Sequence, residues 1–306
     1  MSYFTCHRIQ CFLVAISFWA CEDSPTSPPF QELDGGVIGG TEAANDLMSM
    51  MMEIPQMSVV PNRTCNGLYG LPNERSGVDE QSCSMQCLCA DEDLTFSRPP
   101  LDAPLFTYRN ATTWPLLEQD PYQIEWANTD DADLTEKACV IEINHEQQSY
   151  RLETMNLDEA PSAYITHLGP CGACSSLRDL KVYLDNIDLT EPVRSCGLRG
   201  LNSEISETVS CLQDIGFSDA CAEIWAYNTK NTRESCLDVC LAHLQSPYVD
   251  ENGELNPCLD CDEQKSGPIF KKIAGRTRRN SGLASAICRP CNSVSLIFHS
   301  YLEQED

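Results

Sequence analysis

Nineteen cysteines in one chain of 306 residues limit what it can fold into more than any other feature. Reduced thiols at that density are a liability, so they read as a disulfide framework formed in an oxidising compartment. Three lie near the N-terminus: Cys6, Cys11 and Cys21. The other sixteen run from Cys65 to Cys291, an even number able to close eight bridges.

The N-terminus agrees with that compartment. His7 and Arg8 precede a nearly continuous apolar run, Ile9 to Ala20. It is too short to span a membrane comfortably and has the size of a signal-peptide core. Residues 1–21 therefore read as a signal peptide or a lipoprotein signal. The stretch F-W-A-C, ending at Cys21, is similar to the lipobox of bacterial lipoproteins, which implies a lipid on that cysteine. Either way the protein is expected to be secreted or membrane-anchored on the extracytoplasmic side. Residues 22–62 read as a flexible tether: EDSPTSPPF is rich in Pro, Ser and acid, and DGGVIGG in Gly. The methionine-rich LMSMMMEIPQM within it reads as an apolar segment, with Cu(I) capture by thioethers as the other reading. Asn62 and Asn110 begin N-x-T sequons.

Two different domains are expected beyond the tether. Residues 63–166 form a β-rich domain that opens with a Cys-rich collar, Cys65 to Cys89. LFTY, YQIEWAN, CVIEIN and SYRLET carry the β-branched and aromatic residues of strands, with HEQQ as a hairpin turn. Residues 167–302 form a Cys-rich helical domain. SSLRDLKVYL places Leu177, Leu180 and Leu184 on one face. SDACAEIWAY starts at a cap-like Ser218, TRESCLDVCLAHL starts near Thr232, and GPIFKKIAG runs from Ser266 to a stop at Gly275. The fold class is therefore α+β: a β-rich N-terminal region followed by a disulfide-stapled bundle of short helices.

Three C-x-x-C pairs carry the first chemical question: Cys171/Cys174, Cys258/Cys261 and Cys288/Cys291. A thiol at a helix N-terminus is made acidic and nucleophilic by the helix dipole. A β-like AYITHL, then C-x-x-C, then a helix is similar to the thioredoxin-like active-site arrangement. That resemblance implies Cys171 as nucleophile and Cys174 as resolving thiol, although no aromatic residue precedes Cys171. The other readings are structural bridges and, with His167 near the first pair, zinc ligation. No metal and no cofactor is expected, because thiolates in an oxidising compartment close into disulfides.

Charge carries the second question. The chain has 46 Asp and Glu against 20 Lys and Arg, a formal net charge of −26, which excludes a general nucleic-acid binder. Yet Gln264 to Leu302 contains no acid and holds seven basic residues. Its centre, GRTRRNSG, is expected to join a helix end to a new helix start near Asn280 or Ser281. Lys272, Arg276, Arg278 and Arg279 would there form an anion-recognising patch for a small molecule, a glycan or a lipid headgroup. The competing reading is internal: the basic stretch docks on the acidic YVDENGELNPCLDCDE just before it. Alternating oxygens at Asp250, Asn252 and Glu254 suit calcium or a plain Asn-Gly turn. No G-x-S-x-G, P-loop or H-E-x-x-H occurs. Two function classes follow: an extracytoplasmic disulfide-rich binding protein for an anionic ligand, or a thiol–disulfide oxidoreductase.

Overall fold

The structure is a computed structural model that describes residues 64–89, 92–124, 136–200 and 204–303. The expected signal, the tether, the methionine segment and most of YQIEWAN lie outside the described residues. Both strands and helices are present, with the β-rich part first and the bridged helices after it.

The collar is made of short strands: β1 (Cys65–Asn66), β2 (Leu68–Tyr69), β3 (Cys83–Ser84), β4 (Gln86–Cys89) and β5 (Glu92–Thr95). They form one sheet ordered β1-β4-β5 and part of another. The next sheet is ordered β6-β8-β7-β9, from β6 (Arg109–Asn110), β7 (Lys137–Asn144), β8 (Ser149–Asn156) and β9 (Ile165–Leu168). CVIEIN and SYRLET are its central hairpin, in the register Ile141 to Leu152, turning through His145–Gln148. Cys139, Ile141, Tyr150 and Leu152 face the main core, while Ala138 and Val140 face a smaller cluster with Ile165 and Ile297. Burial on both faces explains the unbroken apolar run ACVI in β7. LFTY is not a strand. Pro104 starts a 3₁₀ helix, Pro104–Thr107, because its fixed φ suits the first position of a turn and it has no N–H for a ladder. Tyr122 and Gln123 likewise belong to the 3₁₀ turn Pro121–Gln123.

The helices are α1 (Leu177–Asp185), α2 (Thr190–Arg199), α3 (Ile205–Ile215), α4 (Asp219–Ala242), α5 (Pro257–Lys265) and α6 (Gly267–Ala274). The Ser176 Oγ caps α1 by accepting from the Asp179 N–H, and the Asp179 carboxylate accepts from Ser176 and Ser218. Leu177, Leu180 and Leu184 are buried against the sheet, each contributing roughly 1.5–3 kcal/mol by apolar burial. The two helices expected from Ser218 and Thr232 are one helix of 24 residues, α4. AYNTKNTRES contains neither Gly nor Pro, so nothing breaks the backbone ladder there. The helix expected after Asn280 is only a 3₁₀ turn, Arg279–Ser281. It stops because Gly282 takes a left-handed φ of 65° and the Asn280 carboxamide accepts from the Thr277 N–H instead.

All sixteen cysteines from Cys65 to Cys291 are bridged, in eight disulfides. Near the C-terminus, β10 (Arg289–Pro290) pairs with β2, and Cys83–Cys288 and Cys87–Cys291 tie it to the collar. Cys236–Cys261 and Cys240–Cys258 staple α5 along one face of α4. Eight bridges place the folded part in an oxidising, extracytoplasmic compartment. No helix among the described residues is long and apolar enough to cross a membrane.

Candidate functional site

The first C-x-x-C does not close on itself. Cys171 bonds to Cys139 on β7, and Cys174 bonds to Cys221 on α4. The other two pairs behave alike: each of their cysteines goes to a different partner. The loop is clamped as well. Ala173 and Cys174 donate backbone hydrogen bonds to the carbonyls of Ile273 and Ala274, at 2.9 and 2.8 Å. A Cβ on Gly172 would stand 2.4 Å from the Ile273 oxygen, so only glycine allows this approach. In place of a free dithiol, the geometry is a weld between sheet, α1, α4 and α6. Peptide mapping without reduction is expected to recover Cys139 linked to Cys171 and Cys174 linked to Cys221. A Cys171–Cys174 bridge in the folded protein would contradict this arrangement. His167 is not a ligand beside it: its Nε2 is 2.7 Å from the Ser175 Oγ, buried in the same weld.

The structure does not bring the four basic residues together at the surface. Arg276 has no accessible surface. Its guanidinium donates to the carbonyls of Cys174, Thr166 and Ser175 and to the Ser281 Oγ. The Arg278 guanidinium donates to the carbonyls of Tyr183, Ala284 and Asn186 and lies over the Tyr183 ring. Arg279 pairs with Glu263 at 3.1 Å, and Lys272 is half-buried on α6. Glu263 also takes Arg289 at 2.6 Å and Lys271 at 3.9 Å, so the basic stretch docks on the acidic one before it. Asp250 forms a turn: its carboxylate accepts from the N–H groups of Asn252 and Glu254, and those bonds hold its pKa below the ordinary value.

What the helical part does present is a cavity of about 520 Å3, lined by residues of α2, α4, α5, α6 and the loop before β10. Its shape follows from how α2 and α4 meet. They touch at Gly197, where a Cβ would stand 2.3 Å from the Thr229 methyl, and the Arg233 guanidinium donates to the Gly197 carbonyl. At the other end Arg75 bridges the segment just past α4 to the start of α2, donating to the Leu244 carbonyl at 2.7 Å and reaching Glu191 at 3.7 Å. Val193 and Leu198 line the cavity together with Leu237, Leu241 and Leu244. Leu198, Leu237, Leu241 and Leu244 are 59%, 48%, 56% and 38% exposed, four of the seven large apolar residues so exposed among those described. Scattered surface leucines are ordinary, but four around one cavity mark a binding surface.

The bridges explain why this surface stays open. Cys236 and Cys240 commit one face of α4 to α5. Leu237 and Leu241 lie about 100° further round the helix than these cysteines, and Leu244 follows just past the end of α4. The cavity also has a polar part. The Asp262 carboxylate accepts from Asn228 and Thr232, and burial pushes its pKa up. Burial also pushes Glu263 up, but Arg289, Arg279 and Lys271 together override it and hold it below the ordinary carboxylate value. Six cations (Arg194, Arg233, Lys271, Arg278, Arg279 and Arg289) and three carboxyls line the cavity. In a chain of −26 that excess is positive where the rest is negative.

Sequence reasoning missed the cavity. Its only prior trace was the leucine spacing in CLDVCLAHL beside the two cysteines. Among known proteins, residues 205–297 are similar to a family of unknown function (DUF8771), a segment that runs from α3 through β10 and includes most of the cavity wall. Neither the curated proteins nor the solved structures include a significant match to the chain.

Proposed function

We propose that this is an extracytoplasmic, disulfide-rich binding protein whose ligand is an amphiphile. The apolar body lies in the cavity between α2 and α4, and an acidic end meets the cations around Glu263. The observation that carries this reading is the set of exposed leucines that line one cavity. Binding sites of this kind are concave and mostly apolar, with a few placed polar groups that set orientation. An anionic ligand here is met by Arg279, with Lys271 and Arg289, while Arg276 and Arg278 support the wall from inside. Secretion after removal of residues 1–21, or a lipid on Cys21 that keeps the protein at the membrane, belongs to the same proposal.

A neutral, environment-sensitive naphthylamine dye tests the apolar part. It should brighten and shift to the blue on binding the full chain. Leu241→Asp should weaken that binding about tenfold, the equivalent of most of one leucine contact. Leu241 is exposed, so its replacement should leave the unfolding midpoint nearly unchanged. Equal dye affinity in both proteins would refute the site.

A further inference from the structure

We propose that Glu263 is an internal counter-ion that competes with the carboxylate of a long-chain acid for the same three cations, making that acid the ligand class of the cavity. This rests on the cavity being the ligand site. Lys271 on α6, Arg279 in the 3₁₀ turn and Arg289 on β10 come from three elements and converge on one side chain of α5. Arg289 reaches one Glu263 oxygen, while Arg279 and Lys271 reach the other. Three cations thus meet one carboxylate, with the buried Asp262 as the next carboxyl on the same helix.

The hydrogen bonds leave donors in surplus. A guanidinium carries five N–H donors. Among the described residues, Arg289 makes one hydrogen bond, to Glu263, and Arg279 makes two, to Glu263 and the Ser293 carbonyl. The donors that Arg289 leaves unused are not buried, so an incoming group can reach them. A second carboxylate would supply the missing acceptors, in the planar two-oxygen geometry that arginine matches best. Glu263 already shows that these cations accept such a group. The exposed leucines that line the same cavity select an acid that carries a long apolar chain.

Titration calorimetry of the full chain with dodecanoate, dodecanol and dodecylamine separates the parts of this proposal. Dodecanoate should bind about tenfold more tightly than dodecanol, and the difference should shrink in high salt. Glu263→Gln should tighten dodecanoate about tenfold further while leaving dodecanol unchanged, because it removes the competing charge and keeps the shape. A gain confined to dodecanoate cannot come from partial unfolding, which would expose apolar surface to dodecanol as well. If dodecanol binds but Glu263→Gln leaves dodecanoate unchanged or weaker, the counter-ion role is wrong and the cavity reading stands. If none of the three binds, the cavity reading itself falls. Should Glu263→Gln not fold, Arg289→Gln and Arg289→Lys decide instead: the first should lose the preference for dodecanoate and the second keep it. Equal preference in both would overturn the proposal.

Discussion

Arg276→Met is expected to destabilise the protein by about 3–5 kcal/mol, measured by denaturant unfolding. The guanidinium is fully buried and has no carboxylate within ion-pair distance among the described residues. Its compensation is four acceptors instead: the carbonyls of Thr166, Cys174 and Ser175 and the Ser281 hydroxyl, at 3.0–3.3 Å. These belong to β9, the C-x-x-C loop and the turn after α6, so one side chain joins three segments. Methionine fills much of the volume but leaves those acceptors without donors, each costing roughly 1–3 kcal/mol. Part of that loss is offset because no charge need be buried. Arg276→Lys should be nearly as damaging, since an ammonium cannot reach carbonyls arranged around a planar fork. A loss below about 1 kcal/mol for the methionine variant would show that the three segments hold together without it.

That residue also shows where sequence reading stops. The acid-free stretch around GRTRRNSG was visible, and so was the competing possibility of an internal partner. Charge spacing along a chain cannot say whether a guanidinium faces water or three carbonyls about 100 positions away. The hairpin of CVIEIN and SYRLET was legible because period-two alternation and a polar turn are local signals. The helix starts at Ser218 and Ser266 and the stop at Gly275 were legible for the same reason. The disulfide partners were not. Cys83–Cys288 spans 205 positions, and adjacent cysteines diverge to different partners in all three C-x-x-C pairs. The cavity was illegible because it depends on α2 crossing α4 at Gly197 and on Arg75 bracing the far end, both long-range contacts. The exposed leucines of α4 were in plain view, but only that crossing turns them into a wall.

Acidification from about pH 6.5 towards pH 3 is expected to remove stability at up to about 1.4 kcal/mol per pH unit for each of two buried histidines. Burial pushes His299 down to about 3, assisted by the nearby Arg276 charge. Burial and Arg276 hold His167 well below its ordinary value too. Hydrogen bonds show why both stay neutral. His299 Nε2 lies 2.8 Å from the Ser281 carbonyl and must donate, so its Nδ1 accepts from the Tyr301 hydroxyl. His167 Nδ1 donates to the Leu168 carbonyl, and its Nε2 accepts from Ser175. Each ring is fully used in one neutral tautomer, with a buried guanidinium close by. The unfolded chain binds protons at these histidines near pH 6.5, and the folded chain does not. Their contribution is therefore full above that pH and is lost as pH falls towards the folded value. Two carboxyls act in the opposite sense: burial raises Asp179 and Asp262, so protonating them favours the folded state at the acid end. Because these two carboxyls take up protons in the folded state above the ordinary carboxylate value, they offset part of the histidine loss in the same acid range. Denaturant unfolding from pH 6 to pH 4 should give a slope that His299→Asn lowers by about one proton. Asparagine tolerates the left-handed backbone at this position, where φ is 53°. A slope that His299→Asn leaves unchanged would mean that water or a shifted loop lets this ring charge in the folded state.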